Sequence, residues 1–142
     1  MSRPTIDIWS MQVAQVAARR ATCPRRAVGC ILLDSDGIIL ASGYNGSPAR
    51  MQNCNTHPCD GTREGGEDSC MAIHAEINAL MQCSNIKQIH TVTVTCFPCF
   101  RCLKALLNTG MKELIYKDVY EGYEKFLVLP RSMGINVIKS EA

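Results

Sequence analysis

The sequence predicts a three-layer α-β-α sandwich around a mixed five-stranded sheet, and three observations carry that expectation. Periodicity reads as α-β-β-α-β-α-β-α-β along the chain. The first two strands are separated only by "DSDG", a turn, so they pair antiparallel. Each later strand is reached through a helical segment, and such crossovers are right-handed and give parallel pairing. A length of 142 residues, 46% apolar and 20% charged, suits one domain over residues 1–142 with one core.

The elements follow in order. "TIDIWSMQVAQVAARRA" has apolar residues at Ile8, Met11, Val13, Val16 and Ala17, close to helical spacing. Thr5 is its expected cap, with Asp7 in the first turn. "AVGCILL" reads as a buried strand and "IILASGY" as its partner. Residues 45 to 68 are irregular and rich in Gly, Asn, Pro and Cys; a loop of that length is functional or pinned. "CMAIHAEINALMQC" returns to helical period, with Ile73, Ile77, Leu80 and Met81 on one side. "HTVTVTC" alternates and is β-branched, hence a strand. "PCFRCLKALLNTG" is a helix with Pro98 at its start and Gly110 at its end. "ELIYK" is a strand, "EGYEKFLVL" a helix and "INVIK" the last strand.

Composition narrows the function classes. A net charge of +2 gives no strongly basic grip for nucleic acid. No run approaches the roughly 18 apolar residues of a membrane helix. The opening "MSRPTIDIWS" lacks the apolar segment of a signal peptide, so the expected location is the cytoplasm. Nine cysteines in such a chain then point to metal, catalysis or plain burial rather than a disulfide framework.

Two short runs carry chemistry: "IHAEINAL" at 73 to 80 and "TCFPCFRC" at 95 to 102. Cys99 and Cys102 are three apart, so both thiols leave one face of a helix near its N-terminus. The dipole and unpaired N–H groups there favour thiolate. Two thiolates suit zinc, and a catalytic zinc needs a third protein ligand and an open position for water. His74 is available as that ligand. Glu76 lies two residues on, about 200° around a helix, so His74 and Glu76 reach one metal only if the helix begins within a residue or two of His74.

Other readings exist for each half alone. A C-x-x-C is also a thiol redox pair, although that needs no upstream H-x-E, and Leu103 stands where haem attachment would need His. His74 alone reads as a core histidine and Glu76 alone as a solvated helix residue. Jointly, H-x-E followed by P-C-x-x-C is the general signature of zinc nucleobase deaminases. Zinc lowers the pKa of bound water toward about 7. Glu76 takes that proton, delivers it to a ring nitrogen as hydroxide attacks, and helps ammonia leave.

Joined to "TCPRRAVGCILL" and "SGYNGSP", these runs make the chain resemble the deoxycytidylate (dCMP) deaminases of bacterial and phage type, within the cytidine deaminase superfamily. The resemblance spans about residues 22 to 119, and "GYNG" with the Cys-rich loop is its narrower part. It implies conversion of dCMP to dUMP and ammonia, supplying dUMP for thymidylate synthesis, and the cytidine deaminase-like fold. It implies zinc on His74, Cys99 and Cys102, Glu76 as proton shuttle, and dCMP against Arg26, Asn45 and Ala75. Tyr120, at the end of "YKDVY", is a further candidate for phosphate or sugar contact, with plain packing as the other reading. The resemblance further implies a homo-hexamer activated by dCTP and inhibited by dTTP with Mg2+, with effector contacts at Gly43, Tyr44, Asn45 and Gly46. For a phage-encoded chain the location would be the host cytoplasm. Cys23, Cys54, Cys59 and Cys70, with His57 an alternative, form the expected set for a second, structural zinc; small buried thiols are the other reading.

The competing readings are another deaminase, acting on tRNA adenosine, free cytidine or guanine, and a zinc-binding module without catalysis. A tRNA enzyme would want a more basic face. A zinc module would need neither Glu76 nor an open coordination position.

Overall fold

The computed structural model describes residues 2–23, 26–51 and 70–142. Thr5 opens the first helix: its side-chain oxygen accepts from the Ile8 N–H at 3.3 Å, and α1 runs Ile6–Ala18. Then follow β1 (Gly29–Leu33), β2 (Ile39–Tyr44), α2 (Ala75–Gln82), β3 (Thr91–Cys96), α3 (Phe100–Leu107), β4 (Glu113–Asp118), α4 (Val128–Ser132) and β5 (Asn136–Lys139). The sheet order is β2-β1-β3-β4-β5. β1 pairs antiparallel with both β2 and β3, whereas β3–β4 and β4–β5 are parallel. This is the mixed five-stranded sheet expected from the sequence.

Two cores fill the two faces. Met11, Ala14, Ile31, Leu33 and Ile115 pack beneath α1. Cys30, Leu32, Val92, Val94, Leu103, Leu106 and Leu114 pack beneath α2 and α3. The "TVTVTC" alternation of β3 is shared between them. Its valines enter the larger core, while the Thr93 hydroxyl meets Ser10 of α1 at 2.9 Å and the Thr95 hydroxyl accepts from the Gly29 N–H at 3.1 Å. This fully buried strand therefore places its hydroxyls where a partner exists.

Glycine sets how closely the helices approach. A Cβ on Gly29 would stand 1.9 Å from the Ala14 carbonyl oxygen, and one on Gly43 would stand 2.3 Å from that of Ala75. The helices consequently turn small residues to the sheet: Ser10, Ala14 and Ala18, with Met11, from α1, and Ala75 and Ala79, with Glu76, from α2. This corrects the apolar stripes read from the sequence. Ile8 and Val16 of α1 are exposed, and Met81 of α2 is 72% exposed. Bulk defined the stripes, but close contact with a glycine selects against bulk.

α2 begins at Ala75, within the residue or two of His74 that the sequence required, and Ile73 before it is held in an antiparallel bridge to Gly46. Two other boundaries differ. Pro98 precedes the cap of α3 rather than opening its first turn. "EGYEKFLVL" is not one helix but a 3-10 turn, Tyr123–Phe126, followed by the short α4. Gly122 at φ 85° leads into that turn, in a backbone region open to glycine.

Candidate metal and active site

α2 and α3 bring their N-termini together at one end of the sheet. The residue before each helix is extended: His74 at φ −66°, ψ 151° and Cys99 at φ −64°, ψ 166°. Neither makes a side-chain capping bond. His74 Nδ1 lies 3.5 Å from Cys99 Sγ and 3.3 Å from Cys102 Sγ. The three ligand atoms all fall within 4.8 Å of one another, and among the described residues this is the group able to hold a metal ion. The helix start at Ala75 satisfies the geometric condition that lets His74 and Glu76 serve one centre.

The electrostatics fit a cation. Cys99 Sγ is the anionic partner: the Cys102 thiol donates to it and His74 supports it, which pulls Cys99 down to about 4. Cys102, which keeps the shared proton, is pushed up by that bond and by burial. A divalent ion does for both sulfurs what one proton does for one of them. Two sulfurs and one imidazole form a zinc-type donor set with one position of a tetrahedron left over.

Glu76 is 4% exposed. Burial raises its carboxyl to about 7, opposed by a bond to its own backbone N–H, by His74 and by a bond to Cys102. Cys30, fully buried on β1, feels the same carboxylate. A carboxyl of that pKa both accepts and returns a proton near neutrality. Ala75 is fully buried in the first turn of α2, where N–H groups have no intrahelical acceptor.

The remaining expected residues surround this centre. Arg26 is exposed, and its charge acts on both Cys96 and Tyr120. The Tyr120 hydroxyl donates to the Pro98 carbonyl at 2.8 Å, beside Cys99. Asn45 is 8% exposed; its Oδ1 accepts from the Val28 N–H and its Nδ2 donates to the Arg26 carbonyl, each at 2.8 Å. Gly43 faces α2, Tyr44 lies under the Arg20 guanidinium, and Gly46 pairs with Ile73. Of the second metal set, Cys23 and Cys70 are half-buried free thiols, and Cys54, Cys59 and the alternative His57 lie outside the described residues.

Sequence reasoning overlooked two residues. Asn78 donates from Nδ2 to the Tyr44 carbonyl at 2.8 Å. The Thr22 hydroxyl accepts from the Ser47 N–H at 3.2 Å and lies under Gly46. The available signal for Asn78 was a lone amide amid the apolar residues of "INALM".

The model of the cytidine and deoxycytidylate deaminase zinc-binding region matches residues 4–118. The chain is 32% identical over 142 residues to the deoxycytidylate deaminase of Saccharomyces cerevisiae, covering 96% of this chain and 45% of that enzyme. It thus spans less than half the length of the yeast relative. It is 35% identical over 125 residues to the deoxycytidylate deaminase of Mycobacterium phage D29, covering 82% of this chain and 97% of the phage protein. The crystal structure of dCMP deaminase from the cyanophage S-TIM5, in complex with dCMP and dUMP, superposes with a TM-score of 0.78 at 29% identity, covering 99% of this chain and 100% of that one. A family match across most of the chain, with a His-Cys-Cys cluster and a buried glutamate at its centre, leads to one conclusion: the chain belongs to the cytidine and deoxycytidylate deaminase zinc-binding family.

Proposed function

We propose that the chain is a zinc-dependent dCMP deaminase, with zinc on His74, Cys99 and Cys102. The observation that carries this is the meeting of those three donors within 4.8 Å at two helix N-termini, beside a buried Glu76. The bound dCMP and dUMP of the cyanophage relative support a nucleoside monophosphate as substrate. Zinc at this site supplies Lewis acidity, making water acidic enough to act as a nucleophile near neutral pH. Glu76 accepts the proton of the attacking water and passes it to the cytosine ring nitrogen. Glu76, again a carboxylate, would then take the second proton from the new C4 hydroxyl as the C4 carbonyl forms and hand it to the amine as the C4–N bond breaks, and dUMP and ammonia result. Burial, which raises this carboxyl above the usual carboxylate range, supports its taking and returning a proton.

Arg26 would meet the phosphate, since a guanidinium presents a fork matched to it. Tyr120 would meet phosphate or sugar. Asn45 would reach the sugar with the second hydrogen of its amide, and Ala75 would line the base. The proposal extends to a homo-hexamer, to dCTP activation and dTTP inhibition with Mg2+ through Gly43, Tyr44, Asn45 and Gly46, and to supply of dUMP for thymidylate synthesis. A cytoplasmic location and a second zinc on Cys23, Cys54, Cys59 and Cys70 belong to the same reading; the resemblance to dCMP deaminases supports these points.

Ammonia release from dCMP, with and without dCTP and dTTP, tests the reading. Turnover of dCMP in preference to deoxycytidine supports it, and no release from dCMP by zinc-loaded protein overturns it. Arg26→Ala should weaken dCMP far more than deoxycytidine; equal loss for both removes the phosphate role. Two zincs per chain support the structural site, and one denies it.

A further inference from the structure

Residues at and just past the end of β2 hold the chain on both sides of His74. Gly43 admits the helix so closely that a Cβ there would lie 2.3 Å from the Ala75 carbonyl oxygen and 2.5 Å from Ala79 N. The Tyr44 carbonyl accepts from Asn78 Nδ2 at 2.8 Å. Gly46 exchanges two backbone bonds with Ile73, at 2.7 and 3.1 Å. Asn45, between them, turns the other way and clips the backbone of Arg26 and Val28.

α2 has eight residues, and a helix that short has little stability of its own. The residues it buries, Ala75, Glu76 and Ala79, offer few large side chains to interlock with the sheet. Contact with Gly43 sets its distance from the sheet and Leu80 packs against the larger core, but neither contact is directional in the way a hydrogen bond is. Metal distances tolerate only about 0.2 Å, so rotation of the helix about its axis needs a directional contact to fix it. The Asn78–Tyr44 bond fixes it on the helix, and the Ile73–Gly46 bridge fixes it on the segment entering His74.

We propose that the Gly43–Gly46 run, with Asn78 as its counterpart on α2, is a positioning device that sets His74 and Glu76 against Cys99 and Cys102 and, through Asn45, ties that centre to the Arg26 segment. Asn78 acts through the backbone of its helix and is a positioning residue. The inference rests on His74, Cys99 and Cys102 being metal ligands.

The test uses cobalt-loaded full chain, reading the visible d–d spectrum and the rate of metal release to a chelating dye. Asn78→Asp keeps the shape but sets an oxygen against the Tyr44 carbonyl; Asn78→Ala removes the donor and serves if the first variant does not fold. Ser10→Ala is the control, deleting the buried hydroxyl pair with Thr93 on the opposite face. The Asn78 variants should release metal about tenfold faster or more, with an altered cobalt spectrum, as for other residues that orient metal ligands. Ser10→Ala should match the wild type in both. Wild-type release and spectrum in the Asn78 variants, or equal acceleration by Ser10→Ala, overturns the positioning role. A wild-type chain that takes up no cobalt or zinc instead overturns the ligand reading beneath it.

Discussion

α1 and α2 meet the sheet in the same way and do different work. Each lays alanines over a strand glycine, Ala14 and Ala18 on Gly29, Ala75 and Ala79 on Gly43. Each also buries a polar residue on its inner side. In α1 that residue is Ser10, whose hydroxyl bonds to Thr93. In α2 it is Glu76, whose burial is opposed only in part by its bonds and lifts its carboxyl to about 7. The helix starts diverge likewise: Thr5 caps α1 with its side chain, whereas His74 leaves α2 uncapped and turns toward two sulfurs. One packing solution is satisfied locally on one face. On the other it leaves the first turn of α2 without a side-chain cap and sets a buried carboxyl beside the imidazole and the two sulfurs, an arrangement that a metal and a substrate would use.

The sharpest way to separate the two faces is to alter the two buried polar groups. Glu76→Gln keeps size and burial but removes the proton carrier. Deamination should fall about a thousandfold, in the range for loss of a general acid–base, with zinc content unchanged. Ser10→Ala costs a buried hydrogen bond, roughly 1 kcal/mol, and should leave turnover per folded molecule as it was. Steady-state kinetics with metal analysis reads both; an active Gln variant removes Glu76 from the mechanism.

A smaller effect is expected at the glycines. Alanine at Gly29 or Gly43 must push a helix backbone outward, and overpacking of that kind costs about 1–3 kcal/mol. Gly29→Ala should lower the unfolding midpoint in urea and leave the metal centre intact, because α1 carries none of it. Gly43→Ala should cost similar stability and also speed metal loss, because the carbonyl it meets belongs to Ala75, next to His74. Equal metal retention in the two variants would break the comparison.

How far the sequence reached follows from these contacts. The order of elements was legible because hydrophobic period and turn residues report local structure. The ligand set was legible because metal chemistry restricts residue type and spacing, and even the start of α2 followed from the placement of His74 and Glu76. The helix faces were not. Val16 and Met81 looked like core by bulk and are exposed, since the sheet-facing places had to be small opposite glycine. That constraint depends on which glycine each helix meets, which is tertiary information. Asn78 escaped for the same reason: its partner is a backbone carbonyl on β2, and a carbonyl has no sequence signature.

The smallest contrast lies at the caps. Thr5→Ala removes the bond to the Ile8 N–H and should cost about 1 kcal/mol, a shift read by urea unfolding, with no change in metal uptake. His74→Ser does the opposite. It offers α2 the hydroxyl cap it lacks and deletes the imidazole, so metal uptake should vanish. In chelator, the variant should be at least as stable as the metal-free parent, gaining up to about 1 kcal/mol from the new cap. A loss as large as that of Thr5→Ala would mean that His74 already holds α2 in place without metal. The start of α2 would then be a structural cap like that of α1, and the difference between the two faces would rest on Glu76 alone.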